Sequence, residues 1–466
     1  MTIWKKPQRG TLRLVNDGRS RGRNCRRAAG PATLNSTTTL EAIWYDDVDS
    51  IRPNHSAAIM NRISSYFTAG SAFAAALFVA TAACAATDCR TAGSFEGWLA
   101  RFKAEAAAQG ISRSAIDAAS PYLVYDQRIV NIDRGQRIFA QSFLEFSGKM
   151  LPAYRLQQGA AEIKKYQAIF DRAEKQYGVP AAVITGFWGL ESDFGTNMGK
   201  DNSLKSLVSL AYDCRRADMF RGHLFDALRL IQRGDLNPAE MLGSWAGELG
   251  QTQMMPSEYI KYAVDYDGDG KRNLLRSVPD VIGSTANYLV SLGWKRGEPW
   301  LQEVRVPASL PWDQADLSIQ HSLAEWAGWG VTQADGRALQ NRNLMASLLL
   351  PMGRFGPAFL AFDNFQVYLK WNSSLVYSTT AAYYAARLAG AAPMSRGNGT
   401  PPPPLSFEQA RELQQLLIKA GYDVGGADGK LGLSSRAATR AMQMKLGLPA
   451  DSYPTVELLT RLRTGR

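Results

Sequence analysis

Glu191 is the first charge after an uncharged run that reaches back to Gly178. Val183, Ile184, Phe187, Trp188 and Leu190 make that run a strongly apolar helix. A carboxyl group at the end of such a helix is expected to lose its water, and desolvation raises a carboxyl pKa toward what a general acid needs near neutral pH. The nearest companion is Asp193, two positions on, which on a continuing helix points away from Glu191. The local sequence therefore offers one acid with no second carboxylate placed beside it. A second group is Asp265-Tyr266-Asp267-Gly268-Asp269-Gly270, the first half of an EF-hand loop, in which carboxylates at alternate positions converge on a hard cation. Its second half departs: the twelfth position falls on Arg276, a cation that cannot ligate. The alternative is an Asp/Gly-rich turn that holds no metal.

The elements that must carry these residues follow from periodicity. Residues 94–297 read as helical, with three-to-four apolar spacing in segments such as 162–177 and 219–232. Between about 299 and 363 the runs EVRVP, ASLLLPMG and PAFLAF, bounded by Pro and Gly, predict strands in a small inserted sheet. Helix returns over 365–388. The stretch 391–405 contains Pro401 to Pro404, cannot continue a helix, and reads as an extended linker. Beyond it, 407–420 and 435–446 predict two amphipathic helices around the turn-rich GYDVGGADGKLG, a separate unit of 406–466. No repeat of solenoid period is present.

Composition sets outer limits. A chain of 466 residues exceeds one core, and its ordinary apolar content excludes a disordered or multi-span membrane protein. The formal charge is +11, but residues 1–85 alone hold eleven Lys or Arg against five acids. The remaining bias is mild, suits an anionic partner and does not demand nucleic acid. From Met60 the chain reads as a signal peptide over 60–85, with an apolar core from Ala69 to Ala80 and a small-x-small site at Ala83-Cys84-Ala85. Residues 1–59 are then a non-native or disordered upstream extension. Export to the periplasm is expected, with outer-membrane attachment as the alternative if Cys84 carries lipid. Cys89 and Cys214 are the only cysteines left after cleavage, either bridged or with Cys214 a small, partly buried thiol.

Four separated stretches, GFWGLESDFG, AYDCRRADMF, GSWAGELGQTQMMPSEYIKYAVDYDGDG and PDVIGSTANYLVSLGW, resemble in order and spacing the membrane-bound lytic murein transglycosylase B family, over about residues 92–390. The resemblance implies a mainly α fold: a lysozyme-like helical catalytic core with a small inserted β subdomain. It implies Glu191 as catalytic acid, Arg215 and Arg216 as paired arginines near the active site that hold the catalytic helix or bind sugar and peptide carboxylates by forked hydrogen bonds, and Ser244, Gln253, Tyr288 and Asn372 as cleft residues that touch sugar or orient the acid. The family has Tyr before that Asn, where this chain has Trp371, so stacking is kept and a hydroxyl is lost. It also implies a structural calcium site of Asp265, Asp267, Asp269, the Lys271 carbonyl and a closing Asp280, with no cofactor required for chemistry. Residues from about 406 resemble the small three-helix peptidoglycan-binding domain, with Met442-Gln443 where that family has Phe-Gln and no Gly in the later turn at Asp451-Ser452. The implied activity is cleavage of the MurNAc-GlcNAc β-1,4 bond with 1,6-anhydro-MurNAc ends, by a monomer acting on glycan strands. The rivals are a hydrolytic muramidase and a non-catalytic wall-binding scaffold.

Overall fold

The computed structural model describes residues 93–135 and 141–465. The expectations for the upstream extension, the signal peptide, Cys84 and Cys89 fall outside those residues. Among the described residues no helix is long and apolar enough to cross a membrane.

The fold is built around helix Ala181–Ser192, in which every side chain from Ala182 to Ser192 is buried. Pro180, held extended, opens it, and Asp193 and Phe194, both left-handed, stop it one residue after Glu191. Burying Phe187 and Trp188 fully contributes about 1.5–3 kcal/mol each. Helices Ala153–Lys165, Gln167–Tyr177, Val278–Ser291 and Leu375–Leu388 pack around it. Gly189 permits the closest of these approaches, since a Cβ there would lie 2.9 Å from Phe194 and 3.0 Å from the Tyr384 ring.

Two segments expected as single helices are broken. The 162–177 stretch bends at Tyr166, which separates Ala153–Lys165 from Gln167–Tyr177. The 365–388 stretch divides into Phe365–Trp371 and Leu375–Leu388, with Asn372 extended between them. Periodicity does not reveal either break, because the apolar stripe resumes on the far side in phase with the same core.

A two-stranded antiparallel ribbon, β1 (Asp201–Asn202) with β2 (Leu242–Gly243), leads into the loop that faces the acid helix. The insert is a five-stranded antiparallel sheet of β3 (Leu301–Arg305), β4 (His321–Ser322), β5 (Thr332–Gln333), β6 (Met345–Leu349) and β7 (Ala358–Ala361), in the order β4-β6-β7-β3-β5. Register pairs Val304 with Ala358 and Leu348 with Leu360. Leu348, Ala358 and Leu360 face a core of the insert's own around Trp326, while Leu349, Phe359 and Ala361 face the main helical core. This alternation explains why the strands read as unbroken apolar runs: both faces are covered.

The carboxy-terminal helices Phe407–Lys419, Leu433–Lys445 and Val456–Thr464 close over Leu413, Leu417, Leu458 and Leu459, with Leu416 and Leu446 at the edge. This unit is docked on the insert. Arg436 donates to the Leu350 carbonyl at 2.6 Å, Arg440 to that of Asp313 at 2.9 Å, and the Arg354 amide to Asp451 at 3.0 Å. Ser452 takes the left-handed conformation (φ 60°) where a glycine was expected, held by its hydroxyl's bond to Asp316 at 3.1 Å. Residues 391–405 contain neither helix nor strand, yet the Ser395 amide bonds Glu303 and the Asn398 side chain bonds the Val306 carbonyl.

Candidate active site

Glu191 is 8% exposed, on the last turn of its helix. Its Oε1 accepts two hydrogen bonds, from Trp371 Nε1 at 2.7 Å and from the Tyr377 hydroxyl at 2.8 Å. Its Oε2 has no hydrogen-bond partner. Burial pushes the carboxyl pKa well above its ordinary range, and the charge of Glu248 pushes the same way against the two donors. The carbonyl end of the helix dipole acts in the same direction as burial. Both donors come from the break in the 365–388 segment: Trp371 ends one helix and Tyr377 lies in the first turn of the next. The hydroxyl expected to be lost with Trp371 is thus replaced by an indole N–H. Trp371 also stacks on Phe187 at 4.3 Å and meets Tyr288 at 5.2 Å, and Tyr288 stacks on Tyr262 at 4.9 Å. These rings make an aromatic wall of the kind that holds sugar faces, with Asn372 beside it, its Oδ1 accepting from the Ser374 amide at 2.9 Å.

Asp193 is no partner for Glu191, although the helix does not continue through it as expected. It turns left-handed and pairs with Arg155 at 3.0 Å and the Tyr154 hydroxyl at 3.1 Å. The second carboxylate is instead Glu248, which the sequence reading did not single out. It is 6% exposed and accepts from the Ser244 hydroxyl at 2.6 Å. Ser244, itself buried, accepts in turn from the Ala246 amide at 3.1 Å.

Gln253 adopts φ 48° and spends its amide hydrogens on the carbonyls of Gly250 (2.8 Å) and Met198 (3.2 Å), so its Oε1 is the end left for other work. Gln251 was also missed. Its Oε1 accepts from Trp188 Nε1 at 2.8 Å and its carbonyl from the Ser192 hydroxyl at 2.5 Å, which ties the acid helix to the Ser244–Gln253 loop. Nothing in the residue type separates Gln251 from Gln253; only the fold does. Arg215 and Arg216 converge on buried Asp133: Arg215 by two bonds of 2.8 and 2.9 Å, Arg216 by an ion pair while lying over Phe220. The pair therefore fastens helix Gln127–Arg134 to the turn before helix Ala217–Arg233. Cys214, beside them, is in a disulfide whose partner lies outside the described residues.

In the acidic loop, Asp265, Asp267 and Asp280 bring one oxygen each within 4.8 Å of one another. Asp280 is fully buried, with its two oxygens taking the amides of Tyr266 and Asn273, both at 2.7 Å. Burial, then the neighbouring Asp267, raises its carboxyl pKa against those amides. Three converging acids, one of them held against its charge, are the donor set a hard divalent cation offsets. Asp269 is not in the cluster; its carboxylate accepts from the Lys271 amide at 2.8 Å. Arg276 turns out to Glu240 at 2.7 Å.

With this geometry in place, comparison with known proteins is decisive at the family level. Residues 94–386 match the model of the transglycosylase SLT domain. The chain belongs to that family. Residues 408–462 match the model of a peptidoglycan binding domain. Among curated proteins the chain is similar to membrane-bound lytic murein transglycosylase B of Escherichia coli (strain K12), 32% identical over 240 residues, which are 51% of this chain and 64% of that relative's length. Among solved structures, SltB3 from Pseudomonas aeruginosa in complex with NAG-anhNAM-pentapeptide is 40% identical, with a TM-score of 0.75 over 79% of this chain and 99% of that one. The soluble lytic transglycosylase SltB1 from the same organism is 28% identical, with a TM-score of 0.55 over 63% and 99%.

Proposed function

We propose that this SLT-family chain is a periplasmic lytic transglycosylase that cleaves the MurNAc-GlcNAc β-1,4 bond of peptidoglycan and leaves 1,6-anhydro-MurNAc ends, with Glu191 as sole acid and base. The observation that carries this reading is the asymmetry of the Glu191 carboxyl: two donors hold Oε1, and buried Oε2 is unpartnered. A neutral carboxylic acid keeps its hydrogen on the oxygen that is not already accepting, so Oε2 carries the working proton.

Oε2–H protonates the oxygen linking the two sugars as the anomeric C–O bond breaks. The substrate's own acetamido oxygen stabilises the positive centre, which removes the need for a second protein carboxylate at the sugar. Glu191, now ionised and held by Trp371 and Tyr377, takes the proton of the muramyl C6 hydroxyl as that oxygen attacks the anomeric carbon. The carboxyl returns to its starting state and no water enters. Tyr288 and Trp371 provide flat surfaces for sugar rings, and the Gln253 Oε1 an acceptor. The carboxy-terminal unit supplies wall binding. Asp265, Asp267 and Asp280 would hold a calcium ion, which when bound neutralises the loop that leads into helix Val278–Ser291 and takes no part in the chemistry. Two of the similar proteins are named as lytic transglycosylases, and a third, SltB3, is bound to NAG-anhNAM-pentapeptide, which supports the same reading.

Mass spectrometry of digested sacculi tests it. Anhydro muropeptides, one water lighter than hydrolysed ones, are expected; hydrolysed ends alone identify a muramidase, and the absence of both identifies a scaffold.

A further inference from the structure

A cavity of about 370 Å3 lies where the carboxy-terminal unit meets the insert and the catalytic helices, within the size range that holds a small ligand. Its floor is aliphatic: Leu317 and Leu348 of the insert, with Leu369 and Leu375 from the two helices that flank Asn372. Its other side is the start of helix Leu433–Lys445, where Ser434, Arg436 and Ala437 face it. The mechanism above uses none of these residues.

Two features of that helix point to an anion. Its N-cap is Gly432, which makes no side-chain cap, and its first turn carries no acid, so the positive end of the helix dipole is unmatched. Arg436, one turn in, sends its side chain back toward that end, as helical side chains do. It is 9% exposed, and among the described residues one of its five N–H groups has an acceptor, the Leu350 carbonyl at 2.6 Å. The guanidinium stands 5.8 Å from the Tyr453 ring. The acids whose charges reach it, Asp451 and Asp316, already serve other donors. Asp451 accepts from the Arg354 amide at 3.0 Å and from Gln443 at 2.9 Å, and Asp316 Oδ1 from the Ser318 amide at 2.9 Å and hydroxyl at 2.6 Å. A buried guanidinium with no carboxylate in its fork is costly, and a planar anion with two oxygens offsets that cost.

Asp316 adds a constraint. It lines the same cavity, and its Oδ2 accepts one bond, from the Ser452 hydroxyl at 3.1 Å, which leaves it able to take an N–H from an occupant. A plain inorganic anion has no hydrogen to give that carboxylate. A carboxylate followed by an amide N–H and a small aliphatic side chain satisfies both walls and the floor. That set of groups is the last residue of a peptide.

We propose that this cavity binds the C-terminal residue of a peptide ending in a small aliphatic side chain, with the carboxylate on the unspent N–H groups of Arg436, the amide N–H on Asp316 and the side chain on the leucine floor. The site is separate from the Glu191 cleft and does not depend on the assignment of the acid. Because the end unit and the catalytic body both line it, it exists only while the two are seated together.

Saturation-transfer NMR titration of the full chain tests this, with N-acetyl-alanyl-alanine in its L,L and D,D forms and with the matching C-terminal amides. At least one acid form should bind saturably, and its amide at least about tenfold more weakly, the worth of one charge-assisted pair. No saturable binding by either acid, or equal affinity for acid and amide, overturns the proposal. Sodium sulfate, compared with sodium chloride at equal ionic strength, should not displace the acid form; displacement identifies a general anion site and overturns the peptide assignment. Ala437 is exposed at the mouth, so Ala437→Phe should abolish binding while circular dichroism and Tm stay as they were. Binding that survives in that variant places the ligand elsewhere and overturns the proposal. Arg436→Met should remove the preference for acid over amide, and a folded variant that keeps the preference overturns the role of the guanidinium. Should losing the Leu350 bond unseat the end unit, Ala437→Phe still decides.

Discussion

The floor beneath Glu191 and the acidic loop at 265–280 both gather carboxylates, and they treat them in opposite ways. Glu191 gets two side-chain donors on one oxygen and none on the other, inside a wall of Phe187, Trp371 and Tyr377. Asp265 accepts from the amides of Gly268, Asp269 and Gly270, and those bonds hold its pKa below the usual range against the little burial it has. On the proposed reading, the first environment keeps a proton ready to leave and return and the second keeps charge ready for a cation. A carboxylate's function here is set by where its lone pairs go, not by its residue type.

The strongest test of this contrast is Glu191→Gln. It should lower kcat by at least about a thousandfold, within the range attributed to general acid catalysis, with an unchanged circular dichroism spectrum and no loss of Tm. The matching change on the other side, chelation of calcium, should leave the turnover of the folded enzyme intact and lower stability instead. At a calcium concentration a hundred times Kd the linkage is worth about 2.7 kcal/mol, read as a fall in Tm by calorimetry. Identical melting in calcium and in chelator would remove the metal from the account. Trp371→Phe keeps the ring wall and deletes one donor to Oε1. Because that donor favours the ionised form, its loss should raise the Glu191 pKa, move the basic limb upward, and cost about tenfold in kcat by weakening the base in the second step. Trp371→Tyr should restore most of the rate.

The smallest expected effect is the pH dependence of calcium stabilisation. The folded-state pKa of Asp280 is raised, so without metal its charge costs stability above the ordinary aspartate range, and that cost is relieved as pH falls and the group protonates. The Tm gain from calcium should therefore be larger at pH 7.5 than at pH 4.5. An equal gain at both would show that Asp280 is not among the ligands.

Much of this was legible in the sequence. Glu191 stood out because charge is rare after so apolar a run, and the inserted sheet because its strands are short apolar runs cut by Pro and Gly. The mainly α class, the β insert and the helical end unit follow from the same periodicities. Glu248 and Gln251 were not legible. Each lies in a Gly-rich loop without period, and its role depends on left-handed turns at Gly247 and Gly250 that bring it under a helix some sixty residues earlier. The break at Asn372 was hidden for a related reason: the residues on either side both point to the core, so the pattern reads as continuous. For Arg215 and Arg216 forked bonds were expected on the catalytic helix or on substrate carboxylates, and both instead go to Asp133, some eighty residues away with no local sign of the pairing.

Consider finally the attachment of Arg436, Arg440 and Asp451 to the inserted sheet. The proline-rich stretch before them suggests a bead on a string, but the string is itself bonded along the sheet and the bead is seated. A protease nick between residues 391 and 405 should therefore leave the two pieces migrating together on a sizing column. If the end unit binds wall as proposed, a strand gripped there is offered to the Glu191 cleft at a constant span, as a stock is held in a vice at a set distance from the saw.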